Sequence, residues 1–188
     1  MKKISTILVA VLLIGAFSAQ AQFKFGVLGG ANFSKINSTD PNVVGQNLTA
    51  WHAGLMAELK FPVIGVELDA IYTQNGSKID VAGAASELRN TYVALPLVAK
   101  VYILKVMSLQ VGPQFAWLTS SKLDGQDFKD QLASNDLQIV FGAGVDLSML
   151  HASLRYHMGV KDISVSNVTG FDLKNNAVML SVGIWLSK

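Results

Sequence analysis

The sequence predicts an all-β fold, namely an eight-stranded antiparallel up-and-down transmembrane β-barrel preceded by a cleaved signal peptide. Apolar side chains alternate with small or polar ones along eight segments, and the connections between these segments alternate between long and tight. Charged residues make up only 15% of the chain, whereas soluble domains contain about 25%. Beyond the N-terminal region no apolar run approaches the roughly 20 residues of a spanning helix. In hydrocarbon only helices and closed β-barrels can pair all of their backbone hydrogen-bonding groups. Since the sequence offers no spanning helix, we expect a β-barrel.

The N-terminus has the parts of a secretory signal peptide. Lys2 and Lys3 precede an apolar run over residues 7–17, and Ala19 and Ala21 are the small residues that a signal peptidase reads. An apolar run of about 11 residues is too short to cross a membrane as a helix. We therefore expect a signal peptide over residues 1–21 and a barrel domain over residues 22–188. The chain has no cysteine, so neither a disulfide framework nor a cysteine-linked lipid anchor is expected.

Eight segments show the strict period of two that is typical of half-buried strands. In the first of them Phe23, Phe25 and Val27 share one face, while Lys24 and Gly26 share the other. No charged side chain falls on the apolar face of any segment. The predicted strands cover residues 23–34, 51–61, 64–73, 91–102, 107–117, 137–148, 151–160 and 178–186.

The lengths of the connections between the strands are stronger evidence for the fold than any single strand. After every odd-numbered strand we expect a long polar loop, and these loops cover residues 35–49, 75–90, 119–135 and 161–175. After every even-numbered strand we expect a tight turn, at residues 61–64, 103–105 and 148–150. Long loops on one rim, with tight turns and both termini on the other, are the arrangement of outer membrane barrels. Apolar-face aromatic residues near the strand ends fit interfacial girdles: Phe23, Phe25, Phe33, Trp51, Phe61, Tyr72, Phe115 and Trp117.

A soluble barrel such as a lipocalin-type carrier would show the same alternation with its apolar face inside. Its outer face would then be dense in charges, whereas the polar face here consists mainly of Gly, Ser, Ala, Gln and Thr. Small residues suit a crowded interior, so we expect the apolar face to point outward into lipid. Pro96 and Pro113 lie within strands. Since a closed barrel has no free edge, we expect a bulge or a local twist at each proline.

Several motifs resemble the outer membrane β-barrel family of Bacteroidetes that is called PorT-like, or the porin family. They are the Ala-Gln-Ala-Gln at residues 19–22, the segments 25–34, 92–100 and 111–115, and the pair Arg155-Tyr156. The resemblance covers essentially the whole chain after the signal peptide. It implies an OmpA-like eight-stranded barrel in the cell outer membrane of a Gram-negative bacterium, and it implies no specific activity. Barrels of this kind commonly end on Phe, whereas this chain ends Trp185-Leu186-Ser187-Lys188.

The alternation along the predicted strands places eight charged side chains on the inward face, four of each sign. An eight-stranded barrel is only wide enough to be filled by side chains, so these charges have to meet one another. We interpret them as a structural ion-pair network, and we expect no catalytic, cofactor-binding or metal-binding residue. The network consists of Lys24, Glu58, Lys60, Glu67, Asp69, Lys100, Asp146 and Arg155.

These features favour a barrel with a closed lumen that serves a structural, binding or envelope-accessory role through its long loops. A small-solute pore is one alternative, although water-filled channels appear in barrels of about 16 strands. A lipid-modifying enzyme is another, in which His52 or His157 would assist a serine such as Ser34. His151 and His157 share a face, but the roughly 20 Å of strand between them prevents them from sharing a metal or a proton. No nucleophile motif accompanies the histidines, so no enzyme is expected.

The expected partners follow from the location in the membrane. They are the lipids of the outer membrane and, during insertion, the barrel-assembly machinery. The signal peptide takes two of the 15 basic residues, which leaves thirteen against 13 acidic ones. No clustered basic surface is present, so nucleic acid is not expected as a partner. The composition of the loops names no protein partner.

Overall fold

A computed structural model of the protein describes residues 22–38, 44–81, 84–123, 126–127, 135–160 and 173–187. The predicted signal peptide, residues 1–21, lies outside these ranges, so its cleavage stays a prediction. The described residues form the strands β1 (Gln22–Ser38), β2 (Val44–Lys60), β3 (Ile64–Val81), β4 (Ala84–Ile103), β5 (Met107–Leu123), β6 (Gln126–Asp127), β7 (Asn135–Leu147), β8 (Leu150–Gly159) and β9 (Leu173–Trp185).

The strands close into a single barrel wall. All of the strand pairings are antiparallel, and each long strand pairs with its neighbour along the chain. β1 pairs with β9 and thereby joins the two ends of the sheet. The two-residue strand β6 pairs only with the end of β5. The predicted closed, eight-stranded, up-and-down barrel is therefore confirmed. No helix in the described ranges is long and apolar enough to cross a membrane.

The strands are staggered around the barrel. Following paired residues from Phe23 through every strand in turn returns to β1 at Phe33, ten residues further along. Such a stagger requires the strands to tilt relative to the barrel axis, typically by about 35–45°. With eight strands, the interior is only wide enough for side chains to fill it.

The apolar face points outward, as predicted. On β2, Leu55 is 63% exposed and its neighbour Met56 only 2%. The same alternation runs through β8 without interruption. The outer surface is thus apolar and the interior polar, the reverse of a soluble barrel. Trp51 and Tyr72 lie on the outer face toward the long-loop rim with ring centroids 5.7 Å apart, at the place of a predicted girdle.

The tight turns are confirmed and the long loops are partly wrong. The turns occupy residues 61–63, 104–106 and 148–149. On the opposite rim most strands continue beyond the predicted ends, although β8 does not, and the predicted loop over residues 75–90 is mostly a paired hairpin of β3 and β4. Beyond the membrane neither face of a strand has to be apolar, so the alternation that reveals a strand disappears although the backbone pairing continues.

The two prolines produce no bulge, so that part of the expectation is wrong, while a local twist at each proline stays a prediction. The register of β4 against β3 and β5 is the same on both sides of Pro96 and Pro113, and the irregularity between β4 and β5 lies at Thr91 and Tyr92. Instead, single backbone hydrogen bonds are missing. The Tyr102 amide donates to the Val63 carbonyl. Because every second residue of β4 bonds to β3, Pro96 occupies a position at which an amide would donate to the carbonyl of Asp69.

Pro113 likewise lies opposite Leu97 and cannot donate a hydrogen bond to the Leu97 carbonyl. The neighbouring Gly112 lets the wall accommodate this carbonyl. A Cβ atom on Gly112 would lie 1.9 Å from the Leu97 carbonyl oxygen. The carbonyl that has lost its N–H donor therefore lies against the glycine backbone, where a Cα–H group supplies a weak substitute contact. Gly112 makes room for the Leu97 carbonyl, as Gly30 does for the Leu180 carbonyl elsewhere in the wall.

We expect Gly112→Ala to lower the free energy of unfolding by roughly 1–3 kcal/mol, because the added methyl group forces the Leu97 carbonyl out of its place. Gly29→Ala is the matched control, because its Cβ would meet no atom closer than 3.3 Å. Urea titration of both variants in detergent, followed by tryptophan fluorescence, measures the difference. Equal unfolding midpoints would contradict the close approach at Gly112.

Candidate functional site

The buried polar and charged side chains of the described residues lie in the lumen of the barrel. Six of the eight charged side chains that the sequence predicts to point inward lie together there, and we call these six the ionic cluster. Each has an exposed fraction of 5% or less. The members of the ionic cluster are Glu58, Glu67, Asp69, Lys100, Asp146 and Arg155.

Arg155 connects opposite walls of the barrel. Its Nη1 atom lies 2.6 Å from Asp69 Oδ2, its Nη2 atom binds Glu67, and its Nε atom donates to Gln110 Oε1 at 2.7 Å. Arg155 is on β8 and both carboxylates are on β3, so three strands separate them in either direction around the wall. All three guanidinium nitrogens thus have acceptors. A guanidinium suits this position because its donors form a rigid fork.

Lys100 shares a carboxylate with Arg155. Its ammonium group binds Glu67 and lies 3.5 Å from Glu58 Oε2. Glu67 is therefore held between two cations, and Lys100 links the carboxylates of β2 and β3 to β4. Removal of the Glu67 carboxylate would leave Arg155 with Asp69 and Lys100 with Glu58 as their remaining anionic partners.

Asp146 collects three donors at the tight-turn end of the lumen. The Trp185 indole N–H donates to its Oδ1 atom at 2.9 Å, and His151 Nδ1 lies 2.8 Å from the same oxygen. The Tyr102 hydroxyl lies 3.0 Å from Asp146 Oδ2 and is also bonded to Glu58. Because a hydroxyl has one hydrogen, Tyr102 donates to one of the two carboxylates at a time. Trp185, which is 1% exposed, fills this end of the lumen.

The two remaining predicted members, Lys24 and Lys60, lie at the tight-turn rim against aromatic rings. The Lys24 ammonium lies 5.3 Å from the ring centroid of Trp185, and that of Lys60 lies 3.7 Å from the centroid of Tyr102. Cation–π contacts of this kind stabilise by about 0.5–2 kcal/mol. The structure thus brings six of the eight charges together and places two beside rings. The stabilising role of the network stays a prediction.

The half of the lumen toward the long loops contains mainly amides and hydroxyls, together with the buried carboxylate of Asp136, to which Gln138 donates at 2.6 Å. The Asn32 side-chain amide donates to Thr73 at 3.3 Å and to the Gln74 carbonyl at 2.9 Å. Elsewhere in this half, Gln114 donates to Gln138 at 2.9 Å. Sequence reasoning did not single out these neutral groups, or Gln110, Tyr102 and Trp185. Their position on the inward face was the available signal.

The structure pairs His52 with a serine other than the one that the sequence suggested. His52 Nε2 lies 2.9 Å from Ser181 Oγ, so its partner is not Ser34. His52 Nδ1 has no hydrogen-bond partner, so no carboxylate orients the ring. His52 and Ser181 are 2% and 1% exposed. The described residues also contain no group of three or more His, Cys, Asp and Glu side chains that could hold a metal ion.

This closed wall with a polar interior agrees with the comparison against known families. The family model described as "Outer membrane protein beta-barrel domain" matches residues 18–165. The chain belongs to this family. It is therefore an outer membrane protein, and the predicted location is confirmed. None of the curated proteins matches the chain.

Three solved barrels share the fold. Ail, the attachment invasion locus protein of Yersinia pestis, has a TM-score of 0.53 at 15% identity, over 88% of this chain and 99% of that one. Neisserial surface protein A has a TM-score of 0.52 at 15% identity, over 85% and 96% of the two chains. OprG from Pseudomonas aeruginosa has a TM-score of 0.52 at 12% identity, over 90% and 98%. At these identities the likeness shows the fold alone.

We expect Arg155→Ala to lower the free energy of unfolding by about 3–5 kcal/mol, because it leaves Glu67 and Asp69 buried with a cation missing. Lys122→Ala is the control, since Lys122 is exposed on the long-loop side of β5. Arg155→Met keeps much of the side-chain volume and separates loss of charge from loss of packing. Urea midpoints in detergent measure all three variants. A loss as small for Arg155→Ala as for Lys122→Ala would rule out a stabilising role for the ionic cluster.

Proposed function

We propose that this outer membrane barrel has a closed, side-chain-filled lumen and acts through its long-loop side in a structural, binding or envelope-accessory role. Within its family we place it in the PorT-like group of Bacteroidetes. The segments at residues 25–34, 92–100 and 111–115 support that finer placement. The lipids of the outer membrane and the barrel-assembly machinery are its proposed general partners.

The observation that carries the proposal is the ionic cluster across the lumen. Arg155 and Glu67 are 1% and 0% exposed, and their contacts run from one wall to the opposite one. A solute that crossed the lumen would have to separate these charges, which costs several kcal/mol for each ion left without a partner. The tight-turn end is filled in addition by Trp185. Both features support a lumen that does not conduct.

We expect the purified barrel to give no conductance at the level of general porins in a planar bilayer, because its polar interior is occupied by side chains. A 16-stranded porin inserted into the same bilayer is the positive control. Folding of the sample is checked beforehand by the mobility difference between heated and unheated protein on a gel. Stepwise conductance comparable to that of the control would overturn the proposal of a closed lumen.

The long-loop side supports a binding role because its strands extend beyond the apolar band. β3 and β4 stay paired from the level of Tyr72 to Val81 and Ala84. A paired hairpin is a stiffer platform than a loop, and binding surfaces are commonly carried on loops that a rigid scaffold positions. A partner outside the cell or within the envelope is the proposed ligand of this surface.

We expect replacement of residues 76–89 by a two-residue Asn-Gly turn to leave the urea midpoint nearly unchanged, because these residues lie above the membrane-spanning wall. The same variant should lose the proteins that crosslink to the full chain in native envelopes. Shortening of the segment over residues 124–134 is the matched control for loss of chain mass on this side. Equal crosslinking patterns for full chain and hairpin variant would contradict a binding role of this hairpin.

Catalysis is not proposed, although His52 and Ser181 form a pair. Lipid hydrolysis needs a nucleophile that a lipid can reach, and an orienting group on the far side of the histidine. Ser181 faces the lumen and is 1% exposed, whereas lipid lies outside the wall. The contact between His52 and Ser181 is better explained as the hydrogen bond of two buried polar side chains.

A further inference from the structure

The three tight turns expose apolar side chains. Val63 is 60% exposed, Leu104 is 79% exposed and Met149 is 45% exposed. Turns that stand in water are built mainly from Gly, Asn, Asp and Ser, whose backbones or side chains suit the turn. The tight-turn rim therefore has the composition of a surface that does not face bulk water.

Leu104 has an unusual backbone conformation for an exposed apolar residue. Its φ angle is 54° and that of Lys105 is 64°, in the left-handed region normally taken by Gly, Asn or Asp. A leucine in this conformation is strained, because its Cβ lies too close to the following carbonyl oxygen. It is also the most exposed of the large apolar side chains described, so its side chain is available for a contact outside the chain.

The exposed charges of this rim are cationic. Lys105 is exposed and Lys60 half-buried, and the Lys60 ammonium lies 3.4 Å from the backbone carbonyl of Lys105. Among the side chains that the structure describes, every carboxylate is buried in the barrel. The rim thus combines positive charge with apolar surface. This combination is typical of surfaces that lie in the headgroup region of anionic membranes.

The position of the turns fits that region. Ten residues of β5 separate Trp117 from Met107, which corresponds to roughly 34 Å of strand. At a tilt of about 35–45° this length crosses the roughly 25 Å of apolar wall. The turn at residues 104–106 follows directly, at the level where acyl chains meet headgroups. Ile103 and Leu150 are also exposed, so the rim is continuous with the lipid-facing wall.

We propose that the tight-turn rim is a binding surface for anionic phospholipids. Lys105 contacts the headgroup phosphates, while Val63, Leu104 and Met149 insert beside the ends of the acyl chains. The proposal rests on the location of the barrel in the outer membrane and not on the role of its loops, so either can fail without the other.

The first test measures the depth of the turn. The chain has no cysteine, so Leu104→Cys carries a single nitroxide label in vesicles of phosphatidylglycerol and phosphatidylcholine in equal parts. We expect the label to be relaxed by dissolved oxygen much more than by a water-soluble nickel chelate. Lys122→Cys on the other rim is the control and should show the reverse. Stronger relaxation of the Leu104→Cys label by the nickel chelate would overturn the proposal.

The second test measures the charge. The urea midpoint of the wild-type barrel should rise when phosphatidylglycerol replaces phosphatidylcholine in the vesicle, because an anionic surface attracts the lysine ammonium group. The variant Lys105→Gln should lose at least half of this rise, and Lys122→Gln should keep it. An equal rise in the wild type and Lys105→Gln would overturn the proposal.

The third test distinguishes lipid from a protein that covers the same rim. A water-soluble maleimide is reacted with Leu104→Cys in native outer membranes and in the mixed vesicles. Equal protection in both supports lipid as the occupant. Protection in the native membrane with rapid reaction in the vesicles would show that a protein covers the turns, and rapid reaction in both would show that nothing does. Either of these outcomes overturns the proposal.

Discussion

The constraint on which this structure depends is the lack of hydrogen-bonding solvent around the wall. Within hydrocarbon each backbone amide and carbonyl has to find its partner in the chain, so the strands must close on themselves. Pairing of β1 with β9 achieves this and leaves no edge within the barrel wall. Closure with eight strands makes the interior narrow, and a narrow interior has to be filled. The two prolines show the same constraint locally, because the carbonyl opposite Pro113 lies against a glycine.

The ionic cluster replaces the apolar core that a soluble protein would have. Arg155 and Lys100 share Glu67, and Asp146 is reached through Tyr102. A one-residue slip of any strand would turn such charges into the lipid. The buried charges therefore select one register among the possible ones, whatever they contribute to the net free energy of unfolding.

The sequence was sufficient for the wall and insufficient for the interior. Strict alternation identified which side chains point inward, and the unequal connections identified the rims, because both signals come from the contrast between lipid and lumen. The paired hairpin over residues 75–90 was missed since that contrast ends where the membrane ends. The odd or even position of a residue shows which face of the wall its side chain takes, but not how far along the barrel axis the side chain lies. It therefore could not separate Lys24 and Lys60, which lie against rings at the rim, from Arg155, or show that His52 meets Ser181 and not Ser34.

The contact of Arg155 with the opposite wall has a consequence for biogenesis. Its carboxylate partners on β3 are synthesised well before β8, and β3 and β8 are not neighbours in the sheet. A half-built sheet that entered the bilayer strand by strand would thus present unneutralised guanidinium and carboxylate groups to acyl chains. The last seam, between the first and final strands, joins residues about as far apart as the sequence allows. The charge pairs across the lumen can therefore form fully only when the two ends of the sheet have met.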